Sequence, residues 1–143
     1  MKKLRQILLI DDDAGTNFLN ERLLRGLHIA QQVKVLTDGQ QAYNYLSEAW
    51  KVDKTCPELI ILDHHMPILD GLGLMEKLNW SGKLNNVEAV FLLLALNTSK
   101  DDIRLFKELG VQEFTDKPLC KATAMDAYTK YWAGDTVKNE KLL

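Results

Sequence analysis

Along this chain, short apolar runs alternate with longer stretches in which apolar residues recur every three or four positions. Gln6–Ile10, Val33–Leu36, Leu59–Leu62, Val87–Leu94 and Val111–Asp116 read as strands, the first being continuously apolar as buried parallel strands are. Between them and after the last lie five stretches of helical period. The first carries Phe18, Leu19, Leu23, Leu24 and Leu27, with Asp13 or a neighbour as its cap and Gly26 close to its end. The second carries Ala42, Tyr45, Leu46 and Ala49 after Asp38-Gly39, and Trp50–Pro57 follows as a polar loop. Asp70-Gly71 opens a third helix with Leu74, Met75 and Leu78. Asp101 and Asp102 lead a fourth with Ile103, Phe106 and Leu109, which Gly110 stops. Lys121–Trp132 is the fifth, with Met125, Tyr128 and Trp132 on one side. Five strands alternating strictly with five helices predict an α/β fold whose parallel sheet is covered on both faces.

Composition sharpens this only a little. The 143 residues suit one domain, and 46% hydrophobic with 27% charged residues is ordinary globular usage. A net charge of −2 advertises no nucleic-acid surface. No apolar run approaches the ~20 residues of a membrane helix. Ile7–Ile10 is too short for a signal-peptide core, so a cytosolic chain without membrane or nucleic-acid partners is expected. Cys56 and Cys120 are not at metal-ligand spacing and read as reduced thiols.

In an open parallel sheet, ligands bind outside the carboxyl ends of the strands. There the first strand delivers Asp11 and Asp12, the third Asp63, the fourth Ala95, and the fifth Lys117. Crowded carboxylates repel one another, and a divalent cation relieves that repulsion. An all-oxygen site with few protein ligands suits Mg²⁺, which completes its shell with waters and phosphate oxygens. A carboxylate is also a competent acceptor in phosphoryl transfer, and a lysine offers a point charge to the phosphate. Each element has a plainer reading. Asp11-Asp12-Asp13 could cap a helix, Asp70-Gly71 reads as a turn and cap, and His64-His65 as solvent-facing loop residues, since adjacent histidines do not share a helix face. The combination at the strand ends favours the chemical reading.

Leu8-Leu9-Ile10-Asp11-Asp12-Asp13, Leu62-Asp63-His64-His65-Met66-Pro67 with Asp70-Gly71, and Gly110 with Phe114 through Lys117-Pro118-Leu119 together resemble the response-regulator receiver domain of two-component systems. The resemblance covers about residues 5–132. It implies a flavodoxin-like, doubly wound sheet in the order 2-1-3-4-5, with a receiver domain over residues 1–132 and a polar tail over 133–143. It further implies Asp63 as phosphoacceptor, Asp12 as a direct Mg²⁺ ligand, and Asp11 as a ligand mainly through water. The His65 backbone carbonyl would be the third protein ligand. Lys117 would pair with the phosphoryl group and with Asp63, and the bond before Pro118 would be cis. Phe114 falls at the switch aromatic. The chain departs from the pattern at Ala95, where the family carries a switch Ser or Thr, and at Asp116, where it usually carries a neutral residue.

The function this implies is that of a stand-alone, non-enzymatic response regulator. It would take a phosphoryl group from a histidine kinase or phosphotransfer protein and signal to an unknown downstream protein through its fourth helix, fifth strand and fifth helix. Ala95 supports an alternative, a phosphate-independent interaction module on the same fold. A metal-dependent phosphatase is a third reading, opposed by Asp63-His64-His65 where such enzymes carry Asp-x-Asp.

Overall fold

The computed structural model describes residues 2–133. Five strands, β1 (Leu4–Ile10), β2 (Ala30–Leu36), β3 (Leu59–Asp63), β4 (Val90–Ala95) and β5 (Glu113–Asp116), form one sheet in the order β2-β1-β3-β4-β5. Every neighbouring pair is parallel. The helices are α1 (Ala14–Leu27), α2 (Gly39–Val52), α3 (Gly71–Trp80), α4 (Lys100–Leu109) and α5 (Lys121–Tyr128), the last continuing as a π-helical turn, Thr129–Ala133. The expected architecture and strand order are present, and the fold is flavodoxin-like.

Two apolar layers sandwich the sheet because successive strand side chains point to opposite faces. In β1, Ile7 and Leu9 pack with α1 and α5, around Leu24, Ala124 and Tyr128, while Leu8 and Ile10 pack with α2, α3 and α4, around Leu46, Leu74 and Phe106. β3 and the first five residues of β4 are wholly buried. The two layers thus hold the central strand that carries Asp63.

Caps set the helix starts. Asp13, Asp38, Asp70 and Ser99 each accept a hydrogen bond from the backbone N–H three residues on, satisfying a donor the helix leaves free. Gly110 ends α4 in the left-handed conformation at φ 115°.

Several expectations need correction. β1 begins at Leu4 and β2 at Ala30, while β4 begins only at Val90 and β5 at Glu113. α2 runs through the expected loop to Val52, because Trp50 is buried against Phe91 rather than exposed among polar neighbours. α1 ends at Leu27, with Gly26 close to its end as expected and His28, in the left-handed conformation, as its cap. Phe18 and Leu19 face solvent, each 64% exposed, while Asn17 and Asn20 take the buried positions. The polar tail expected over 133–143 lies outside the described residues from position 134 onward.

Candidate functional site

The sheet delivers its acids as parallel strands must, by ending side by side. β1 stops at Ile10, opposite Leu62 of β3, so Asp11 and Asp12 emerge next to Asp63. Leu94 pairs with Asp63, which sets Ala95 one step beyond it. Ala95 pairs with Asp116, and its carbonyl accepts a hydrogen bond from the Lys117 N–H at 3.0 Å. Lys117 is thereby brought across the strand ends, and the Lys117–Pro118 peptide bond is cis, as is Cys56–Pro57.

One carboxylate oxygen each from Asp11, Asp12 and Asp63 lies within 4.8 Å of the others. Asp11 and Asp63 are buried and Asp12 is exposed, so the cluster opens to solvent on one side. The Lys117 Nζ stands 2.7 Å from Asp63 Oδ1 and 3.6 Å from Asp11 Oδ2. Asp11 receives the Asp13 N–H on Oδ1 at 3.0 Å, and Oδ2 is buried without a hydrogen-bond partner. Burial, together with the neighbouring charge of Asp63, raises the Asp11 pKa against the opposing pull of the Asp13 N–H and Lys117. Burial alone would lower the Lys117 pKa, but the hydrogen bond and charge of Asp63 outweigh it, so the pKa rises and the ammonium stays charged.

This donor set fits a hard divalent cation. It is all oxygen, anionic in excess of its one ammonium, open on one side, and holds in Asp11 Oδ2 a buried carboxylate oxygen that accepts no hydrogen bond.

The loop between β3 and α3 is held tightly. Gly71 N–H donates to the His64 carbonyl at 2.8 Å, and Gly39 N–H, from the start of α2, donates to the Leu69 carbonyl at 2.9 Å. Both approaches require glycine: a Cβ on Gly71 would stand 2.4 Å from the Asp63 carbonyl oxygen, and one on Gly39 2.1 Å from that of Leu69. Between them, Leu69 N–H bonds back to the Pro67 carbonyl at 2.8 Å around Ile68, whose φ of 71° is unusual for a β-branched residue.

His65 is exposed in this loop, as expected, but His64 is not. Its ring is buried, stacked on His65 with centroids 4.1 Å apart and edge-on to Phe106 of α4 at 5.0 Å. Burial, then the adjacent His65, lower its pKa. The reading of both histidines as solvent-facing fails because residue 64 still belongs to the sheet's covered face, one step past Asp63. Phe114 is half-buried in the layer shared with α4, with the Lys107 ammonium 5.6 Å above its ring.

Sequence reasoning missed three contributors. Asn17 donates to the Asp11 carbonyl at 2.7 Å and so ties α1 to the end of β1. Gly39 and Gly71 clasp the acceptor loop. Both glycines stood in Asp-Gly pairs that marked helix starts, Asp38-Gly39 and Asp70-Gly71, but nothing in the chain showed the backbone contacts they make.

A doubly wound parallel sheet that gathers three carboxylates and a lysine at its carboxyl ends places this cluster where such sheets bind their ligands. The chain matches the response regulator receiver domain family model over residues 7–129, and it belongs to that family. It is 28% identical over 132 residues to the protein named "Probable methanogenesis regulatory protein FilR2" of Methanothrix harundinacea, covering 90% of this chain and 83% of that one. Its fold superposes with TM-score 0.79 on a two component response regulator from Cytophaga hutchinsonii, at 27% identity, covering 90% of this chain and 97% of that one. At 18% identity and TM-score 0.72, the Arabidopsis thaliana CKI1 histidine kinase receiver domain, complexed with Mg²⁺, shares the fold over 88% of this chain and 93% of its own. Among the described residues, no helix is long and apolar enough to cross a membrane.

Proposed function

We propose that this receiver domain is a Mg²⁺-dependent phosphoryl acceptor, modified on Asp63 by a histidine kinase or phosphotransfer protein. The observation that carries this is the Lys117 ammonium 2.7 Å from Asp63 within a cluster of three carboxylates. Asp12 and Asp63 would ligate the ion directly, Asp11 through water, and His65 through its backbone carbonyl. Bound Mg²⁺ neutralises the acids and draws charge from the phosphoryl oxygens. That CKI1 receiver domain is described as a complex with Mg²⁺, which supports the same ion for this cluster.

Asp63 attacks phosphorus through a carboxylate oxygen. The phosphorus–nitrogen bond to the donor imidazole breaks, and the imidazole leaves with the bonding pair. Lys117 then exchanges its contact with Asp63 for one with a phosphoryl oxygen. No general base is required, since the nucleophile is already an anion. The modified domain signals by binding a protein partner on α4, β5 and α5, and it carries out no further chemistry.

The test is intact-mass measurement after incubation with acetyl phosphate and Mg²⁺. One added phosphoryl group is expected, absent in Asp63→Asn and absent in excess EDTA. Labelling of the Asn variant would refute the assignment. Ala95 favours a second reading, in which the domain binds its partner without phosphate. Equal partner affinity before and after complete modification would establish that reading.

A further inference from the structure

Between α1 and the loop that leads into α5, a cavity of about 420 Å³ opens beside the strand ends. That volume falls within the roughly 300–1,000 Å³ of small-molecule sites, and its apolar walls, Leu19, Leu23, Leu94 and Leu119, suit one. Its polar members include Asn20, Cys120 and Lys121. Asn20 is only 6% exposed, and it shares the cavity face of α1 with Leu19 and Leu23, at the spacing that sets helix side chains next to one another. Its amide makes no hydrogen bond among the described residues, yet unlike the Asn17 Oδ1 it is not sealed from solvent. Cys120 is an exposed free thiol at the N-cap of α5, its sulfur 3.5 Å from the Thr123 hydroxyl. That hydroxyl, and then the Thr123 backbone N–H, hold the Cys120 pKa below its usual value and so favour the nucleophilic thiolate. Lys121, exposed beside it, has no ion-pair partner among the described residues.

We infer that Cys120 is a modification site, forming a mixed disulfide with a short acidic peptide thiol that seats in this cavity with an amide on Asn20 and a carboxylate on Lys121. The co-reactant is the disulfide of that peptide thiol. The Cys120 thiol gives its proton to water, and the thiolate attacks one sulfur of the disulfide. A new S–S bond to Cys120 forms as the disulfide's own S–S bond breaks, and the other half leaves as a thiolate that takes up a proton. Cys120 is oxidised and the departing half is reduced. The chemistry of the ligand follows from the three polar groups. A primary amide offers two N–H donors and an acceptor oxygen, and a peptide bond answers with one of each. An ammonium takes a carboxylate. The plainer account makes Cys120 a helix cap in the place of a serine. That account explains the contact with Thr123 and leaves a nearly buried amide without a partner in the chain. The chemistry uses neither Asp63 nor the acidic cluster, so it stands or falls independently of phosphorylation.

The reduced full chain, without Mg²⁺, is incubated with glutathione disulfide and in parallel with bis(2-hydroxyethyl) disulfide, which has neither amide nor carboxylate. Intact mass follows the adduct, and each rate is taken relative to that of free cysteine with the same disulfide. A single glutathionyl group is expected on Cys120, absent in Cys120→Ser and retained in Cys56→Ser. Its relative rate should exceed that of the hydroxyethyl compound about tenfold or more, since each hydrogen-bonded contact contributes a factor of about five. Asn20→Leu and Lys121→Gln should each slow the glutathione reaction about fivefold and leave the hydroxyethyl reaction unchanged, a control that a misfolded variant would fail. An adduct on Cys56 in place of Cys120, equal relative rates with the two disulfides, or an undiminished preference in either variant would overturn the inference.

Discussion

Gly71 shows how little room surrounds the acceptor. Its N–H reaches the His64 carbonyl, and a methyl group there would collide with the Asp63 carbonyl oxygen. Gly71→Ala should therefore cost roughly 1–3 kcal/mol, the range for overpacking a tight interior. A lower urea midpoint at unchanged slope would verify the cost, with slower labelling of Asp63 as the loop shifts. Two neighbouring acids should separate cleanly. Asp13 caps α1 through the Thr16 N–H and hydroxyl, whereas Asp12 lies in the carboxylate cluster. Asp13→Ala should lose about 1 kcal/mol of stability and leave Mg²⁺ affinity unchanged. Asp12→Ala should weaken Mg²⁺ about tenfold or more by calorimetry while the melting curve moves little. Asp11, Asp12, Asp63 and Lys117 were legible because strand ends are the one place a parallel sheet presents side chains to a common ligand. Asn17 was not, since an asparagine on a helix announces nothing until its backbone partner is known.

At the scale of elements, β5 is the shortest strand and is secured from outside the sheet. Glu113 accepts hydrogen bonds from Lys130 and from the Tyr131 hydroxyl, both in the turn that prolongs α5. Burial alone would raise the Glu113 pKa, but these two donors outweigh it and hold it below its ordinary 4.5. A carboxylate whose folded pKa is depressed contributes stability above its unfolded pKa and loses it as pH falls through the folded value. Stability should thus decline below about pH 4.5 with a component that Glu113→Gln removes, measured as the pH dependence of the urea midpoint. Element order and sheet direction were readable from alternation alone. The buried face of α1 was not, because Asn17 sits inside, donating its amide N–H to the Asp11 carbonyl, while Phe18 and Leu19 face outward. Likewise Trp50 looked like loop only because its neighbours Lys51, Asp53 and Lys54 are charged; the indole itself packs on Phe91.

For the molecule as a whole, the modification proposed at one end of β3 would have to reach α4 and β5 to act as a signal. The receiver resemblance implies a hydroxyl at the end of β4 that bonds the phosphoryl oxygen, and Ala95 has none. A ligand shifts two conformations only by its differential binding to them. A hydrogen bond to a charged group contributes about 1.5–3 kcal/mol, so its absence should reduce the shift roughly 10- to 100-fold. NMR of α4 with and without beryllofluoride should show small changes in the native chain and larger ones in Ala95→Thr; equal, full-sized changes in both would show the hydroxyl to be dispensable here. The order of strands also decides how the sheet meets other chains. The three inner strands are almost entirely apolar, and any of them left unpaired would offer a row of free backbone groups on a greasy ribbon, ready to recruit another copy. The outermost positions instead go to β2, with Gln31, Gln32 and Lys34, and to β5, with Glu113, Thr115 and Asp116. A chain truncated before β5 would lose this polar border along with Lys117. It should form sheet-rich aggregates, detectable by light scattering and thioflavin fluorescence, because β4 would then stand bare at the rim of the sheet.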